Sequence, residues 1–272
     1  MCWSADDRGP YSDSALFGIR RLRNTAMPYH PHPRAPGYWQ YDGLPVQADV
    51  ETHQHALAIA KRSLRVGASV LDVAAGHGAL TKALVDAGFK VSCTSWNDRV
   101  EVQVPTYRID LDKAFGRNEV GGSPFEMICA LEIIEHVENP AQFLRSLASL
   151  QDSGGLVAIS TPNVESAAAR CEWLLRGCPY SFSGDEITRN RHISILWREG
   201  IEQFISMAGY SIVDKQFFGR TRYHGLVQSL VKRPLHALMR SVLTGDLYGS
   251  SRMYVLRRDD VSPRSLGSDD VA

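Results

Sequence analysis

Short apolar or β-branched runs alternate with segments of helical period through most of this 272-residue chain, and that alternation restricts the fold more than any other feature. Strands are expected at Ser69 to Val73, Lys90 to Ser95, Tyr107 to Ile109, Phe125 to Leu131, Leu156 to Thr161, Tyr210 to Phe217 and Met253 to Arg257. Helices are expected at Asp49 to Leu64, Ala79 to Ala87, Pro140 to Leu150, Glu165 to Arg176 and Arg198 to Met207. Parallel neighbours need a crossover between them, so this order predicts an α/β, doubly wound, mostly parallel sheet covered on both faces. The run FEMICALEII fits a central strand buried on both sides. Between the second and third strands, WNDRVEVQVP is too short and too β-branched for a good helix, so that crossover reads as a loop.

Residues 1–48 read as an N-terminal extension. Its first 36 residues, rich in Pro, Ser, Arg and His, have no sustained period. GYWQYDGLPVQ follows, and it reads as a loop, with a lid placing Tyr38, Trp39 and Tyr41 over a pocket as the alternative. The main domain is expected over 49–258, with a helical insertion at 222–249 and a disordered tail at 259–272. Pro234 divides the insertion into two short amphipathic helices, with Arg222, Lys232, Arg233 and Arg240 among the apolar positions. The insertion reads first as packed beside the sheet and, alternatively, as a peripheral membrane contact. Acidic and basic residues number 30 each, which disfavours a chain built to grip long nucleic acid. Five scattered cysteines without metal-like spacing, no spanning apolar run and no leader segment predict a soluble cytoplasmic protein. Oligomeric state is left open.

The first expected strand runs into a small-residue turn, VLDVAAGHGALT. In an open parallel sheet such a turn sits at the strands' carboxyl ends, where ligands bind. A dinucleotide turn would show GxGxxG and a P-loop would end in GK[ST]; neither is present. Asp72 precedes the turn, and an acid there suits a ligand with an ammonium or sulfonium charge rather than a phosphate.

VLDVAAGHGALTKAL resembles the first motif of class I S-adenosylmethionine-dependent methyltransferases, hh[DE]hGxGxG. YRIDLD, FEMICALEIIEHVENPAQFLRSL, GGLVAISTPN and HISILWREGIEQFISMAGYSIV resemble that family's later features in order, nearest to the ubiquinone-biosynthesis O-methyltransferases and bacterial small-molecule methyltransferases. The resemblance implies a seven-stranded Rossmann-like sheet of order 3-2-1-4-5-7-6 and S-adenosylmethionine as cofactor. It places Asp72, Ala74, Gly76, Gly78, Ser95, Asp110, Leu111 and Leu131 at the cofactor. Ala75 stands where a first glycine is expected, which requires a negative φ there. Ser95 replaces the acid that usually binds the ribose hydroxyls, with Asp98 three residues on, so only part of that contact is expected.

Glu132, Glu135 and His136 are spaced i, i+3, i+4, which on a helical turn puts all three on one side. Two carboxylates and an imidazole can hold a divalent cation, and His192 is the candidate fourth ligand. Similar ExxEH runs supply magnesium ligands in ubiquinone O-methyltransferases; in other relatives they cap helices or line the substrate pocket. His136 and His192 are the candidate catalytic bases. Thr161-Pro162-Asn163 reads either as acceptor-pocket lining or as a plain turn. The expected activity is O-methylation of a small molecule or glycan precursor. Metal-assisted RNA 2′-O-methylation and a cofactor-binding or partner-binding module without turnover are the alternatives.

Overall fold

The computed structural model describes residues 29–33, 38–97, 99–219 and 226–260. Ahead of the main sheet, β1 (Tyr29–Pro31), β2 (Trp39–Tyr41) and β3 (Leu44–Val46) form a small antiparallel sheet where a loop was expected. Asp42 and Gly43 both have positive φ, 49° and 82°, as a two-residue hairpin turn demands. Pro31 and Pro45 inside three-residue strands obscure the pattern in the sequence. The hairpin is packed, not loose: Tyr29 and Tyr41 meet edge to face at 5.0 Å, and the Tyr41 hydroxyl donates to Asp86 at 2.9 Å.

The helix α1 (Val50–Ser63) follows, capped by Asp49, whose Oδ1 accepts from the Glu51 amide at 2.9 Å. Then come β4 (Ser69–Asp72), α2 (Ala79–Asp86), β5 (Lys90–Thr94), β6 (Thr106–Tyr107), β7 (Met127–Leu131), α3 (Pro140–Ser149) and β8 (Leu156–Pro162). The remainder is α4 (Ala167–Arg176), α5 (Gly184–Asn190), α6 (Arg198–Met207), β9 (Tyr210–Phe218), α7 (Leu226–Val242) and β10 (Ser251–Arg258). The seven-stranded sheet has the order β6-β5-β4-β7-β8-β10-β9. That is the order the resemblance implies, with β10 antiparallel to both its neighbours.

One core lies under α3 and α6, where Phe143, Leu144, Leu147, Ile201 and Ile205 pack on β7 and β8. A second lies under α1 and α2, where Leu57, Ile59, Leu80 and Leu84 pack on the opposite face. Each of these side chains contributes roughly 1.5–3 kcal/mol by leaving water. The crossover from β5 to β6 is the trimmed loop expected. Two helices differ from expectation. The segment from Leu226 to Val242 is one helix continuing through Pro234, because a proline deletes a single amide donor and need not end a helix. The short helix α5 had no apolar period to announce it, and none of its residues is buried.

Candidate functional site

Strand β4 ends at Asp72 and delivers the chain into three left-handed residues, Ala74 (φ 57°), Gly76 (58°) and Gly78 (92°). The residue lacking its expected glycine is therefore Ala74, not Ala75, whose φ is not positive. An alanine held there carries roughly 1–2 kcal/mol of strain. The turn is tied to β5, since the Ala74 amide donates to Thr94 Oγ1 at 3.0 Å and the Ala75 amide to the Thr94 carbonyl at 3.1 Å. A Cβ on Gly78 would stand 2.8 Å from Val102, and one on Gly76 would collide with the Gln47 amide oxygen. Gly78 then caps α2. Asp72 is buried at 4% exposure and accepts from Thr81 Oγ1 at 2.6 Å. Burial pushes its carboxyl up to about 7, against the pull of the Thr81 hydrogen bond.

At the end of β5 the Ser95 hydroxyl is turned onto the Asn97 carbonyl of its own loop, so it is committed locally. Asp98 lies outside the described residues. Asp110 accepts from the Asp112 amide and from Lys113 Nζ, both at 3.1 Å, and these contacts hold its carboxyl below the ordinary range, Lys113 first. Leu111 and Leu131 are half-buried against the two cores. The glycine end is thus shaped to bring backbone close to a ligand, while the Ser95 and Asp110 side chains are engaged by the chain itself.

The ExxEH run does not form the α-helical turn its spacing predicts. Glu132 takes a left-handed φ of 49°, and Ile134–His136 wind as a 3-10 turn. Glu132 therefore leaves the shared face: its amide donates to Ser160, and the grouping is Glu135, His136 and His192, whose ligand atoms all lie within 4.8 Å of one another. Glu135 is fully buried, and neither carboxylate oxygen has a hydrogen-bond partner among the described residues. Burial first, and then the charge of Glu132, raises its carboxyl well above the usual range. Glu132, with Oε1 shut off from solvent, is pushed up to about 7 by burial. The imidazoles of His136 and His192 meet edge to face at 4.7 Å. Burial, with His192 as the next cause, lowers the His136 pKa and favours its neutral form. His192 Nδ1 lies 2.6 Å from the Ser181 carbonyl. A carbonyl only accepts, so Nδ1 carries the hydrogen, which makes Nε2 the lone-pair nitrogen of the neutral ring.

A family model described as a methyltransferase domain matches residues 48–215, which hold both the glycine turn and this cluster. The chain belongs to that family. The methyltransferase domain is similar to the ubiquinone biosynthesis O-methyltransferase of a Caulobacter species, at 27% identity over 126 residues covering 42% of this chain and 50% of that protein. It is also similar to the enzyme of the same name from Xanthomonas campestris, at 31% identity over 121 residues covering 40% and 49%. The chain thus spans about half the length of these relatives. Among solved structures, a methyltransferase of Bacillus halodurans aligns with a TM-score of 0.53 at 17% identity, covering 75% of this chain and 99% of that one. Magnesium protoporphyrin IX methyltransferase of Synechocystis, with bound S-adenosylhomocysteine, aligns with a TM-score of 0.52 at 17% identity, covering 77% and 83%. These alignments share the fold.

Around the domain's site, Asn163 has the plain structural role of the two readings. Its side-chain amide donates to the carbonyls of Asp246 at 2.9 Å and Tyr248 at 2.8 Å, pinning the segment ahead of β10. Three participants escaped the sequence reading. Gln47 reaches over Gly76, the Ser181 carbonyl sets the His192 tautomer, and Arg191 bridges Asp112 at 2.8 Å and Glu138 at 3.0 Å beside His192. Only the left-handed Arg191 (φ 58°) follows a turn-forming residue, Asn190, that hints at its conformation.

Proposed function

We propose that this methyltransferase domain moves the methyl group of S-adenosylmethionine onto an oxygen of a small molecule or glycan precursor, in the cytoplasm. The observation that carries the reading is a buried carboxylate, Asp72, directly before the three left-handed turn residues, inside the segment matched by the family. That donor set fits the cofactor's methionine portion: a carboxylate for an ammonium group and exposed backbone for close approach. Bound S-adenosylmethionine supplies an electrophilic methyl carbon on sulfur. The chain's own part is positional, because in-line displacement needs chiefly alignment. His192 Nε2, fixed by the Ser181 carbonyl, takes the proton of the acceptor hydroxyl.

A divalent cation also fits the grouping at Glu135. Two imidazoles and one buried, unpartnered carboxylate form a nitrogen-rich set that suits manganese or zinc better than magnesium. Glu135, His136 and His192 would hold it, His192 through the same Nε2, so the cation would replace that nitrogen's role as base by lowering the pKa of a coordinated hydroxyl.

Calorimetry with S-adenosylhomocysteine is expected to show saturable one-site binding; no heat at millimolar ligand overturns the reading. Incubation with labelled cofactor and cell extract then identifies the acceptor from the labelled product. Chelation is expected to lower turnover by at least about tenfold, with recovery in manganese, as is typical when a metal site is emptied. Turnover indifferent to chelator removes the cation and leaves the methyl transfer standing.

A further inference from the structure

The hairpin ahead of α1 reaches the glycine turn from outside the segment that the family model matches, which begins at residue 48. It is fixed to α2, the helix that the turn caps. The Tyr41 hydroxyl donates to Asp86, and Lys82 Nζ lies 3.4 Å from Asp42 of the β2–β3 turn and 2.6 Å from Asp86. Tyr29 brings β1 to the same place. It is buried at 4% exposure, its hydroxyl has no hydrogen-bond partner among the described residues, and burial first, then Tyr41 and Asp72, raises its pKa.

Gln47 directly follows β3 and is exposed. Its carboxamide lies against the face of Gly76: a Cβ there would stand 3.2 Å from Gln47 Cδ and would collide with Oε1. Among the described residues the carboxamide has no hydrogen-bond partner. With Oε1 turned to Gly76, Nε2 remains to donate.

The amino-acid end of S-adenosylmethionine carries two opposite charges on one carbon. Asp72 answers the ammonium, and the carboxylate needs donors. The other polar side chains around the turn are committed: Lys82 to Asp42 and Asp86, the Thr81 hydroxyl to Asp72, and His77, whose Nδ1 lies 3.0 Å from Glu101. A carboxamide donates to a carboxylate without bringing a cation to the site. A guanidinium in its place would compete with the ligand's ammonium for Asp72.

We infer that Gln47 holds the carboxylate of the cofactor's amino-acid end, with the hairpin as the fixed arm that presents it. This role rests on S-adenosylmethionine being the cofactor.

Two ligands separate the charges: S-adenosylhomocysteine, and its decarboxylated analogue, which keeps the ammonium and lacks the carboxylate. Both are titrated calorimetrically into the full-length chain. Gln47→Ala is expected to bind S-adenosylhomocysteine about tenfold more weakly than wild type and the analogue within about twofold, the difference being one hydrogen bond to a charged group. Gln47→Glu is expected to lose more than Gln47→Ala with S-adenosylhomocysteine, because it sets like charges together, and the extra loss is expected to shrink in salt. Asp72→Asn is expected to weaken both ligands, since both carry the ammonium. Thermal unfolding of Gln47→Ala should match wild type, because the side chain is exposed. Unchanged S-adenosylhomocysteine affinity in Gln47→Ala overturns the assignment, and so does Gln47→Glu binding as well as Gln47→Ala. An equal loss for both ligands also overturns it, leaving Gln47 as a structural cover for Gly76. A wild-type chain that binds neither ligand sinks the cofactor reading and this role with it. Binding of both that Asp72→Asn leaves intact removes only the ammonium contact and leaves Gln47 in place.

Discussion

Replacing Arg252 with alanine is expected to destabilise the fold by about 3–5 kcal/mol, because it strands the Glu165 carboxylate and leaves Asp246 with Lys215 as its remaining cationic partner. Arg252 is 0% exposed, in β10. Its Nη1 lies 2.7 Å from Glu165 and 3.4 Å from Asp246, and Nη2 donates to the Leu196 carbonyl at 2.9 Å. One side chain therefore holds the start of α4, the segment before β10 and the approach to α6. Glu165 also accepts from the Arg198 amide at 2.8 Å, so the loss spreads into the first turn of α6. Urea unfolding should show the midpoint falling with the slope unchanged. Adding Glu165→Gln to Arg252→Met should recover most of the loss by removing a buried charge together with its partner. A loss below about 1 kcal/mol would mean that the pairs behave as solvent-screened surface bridges.

Asp72→Asn should act in the opposite direction on stability while weakening the ligand. Burial raises this carboxyl from its ordinary 3.8 to about 7. With the folded value above the unfolded one, the folded chain holds the proton longer. Stability from this group is therefore complete below pH 3.8, falls as pH rises, and is lost above about 7. At pH 8 the wild-type chain bears the full penalty of a buried charge, an upper bound of about 4 kcal/mol. Asparagine removes that penalty and keeps an oxygen to accept from Thr81. The variant is expected to gain on the order of 2 kcal/mol at pH 8 and much less at pH 5, measured by urea unfolding at both. Binding of S-adenosylhomocysteine should weaken at least about tenfold, since a charged partner of its ammonium group is gone. Equal gains at the two pH values would show that Asp72 is ionised throughout. A residue retained at a stability penalty for the sake of a ligand is common at functional sites.

The elements that could be read beforehand are those whose signal is local. The run ending at Leu131 is apolar because both its faces are covered, and α3 and α6 show their buried stripes at helical spacing. The elements missed carry a signal that local context cancels. The β2–β3 hairpin holds an Asp-Gly turn, yet three-residue strands interrupted by proline give no alternation to count. Helix α7 continues through Pro234, which a reading by propensity alone takes for a break. At the site the same division recurs. Asp72 and the small-residue turn are legible, but the sequence points to Ala75 where the left-handed residue is Ala74, and its i, i+3, i+4 spacing puts Glu132 on a helical face that its own positive φ destroys.

The sequence by itself determined the alternation of strand and helix, the acid before the turn and the family these belong to, because periodicity and spacing along the chain are short-range properties. The tertiary structure alone decided that Glu135 and His136 meet His192, that Gln47 covers Gly76, and that Arg252 holds Glu165 and shares Asp246 with Lys215. Those contacts join residues far apart in the chain. Their energies come from burial and charge pairing at positions that only the closed sheet brings together.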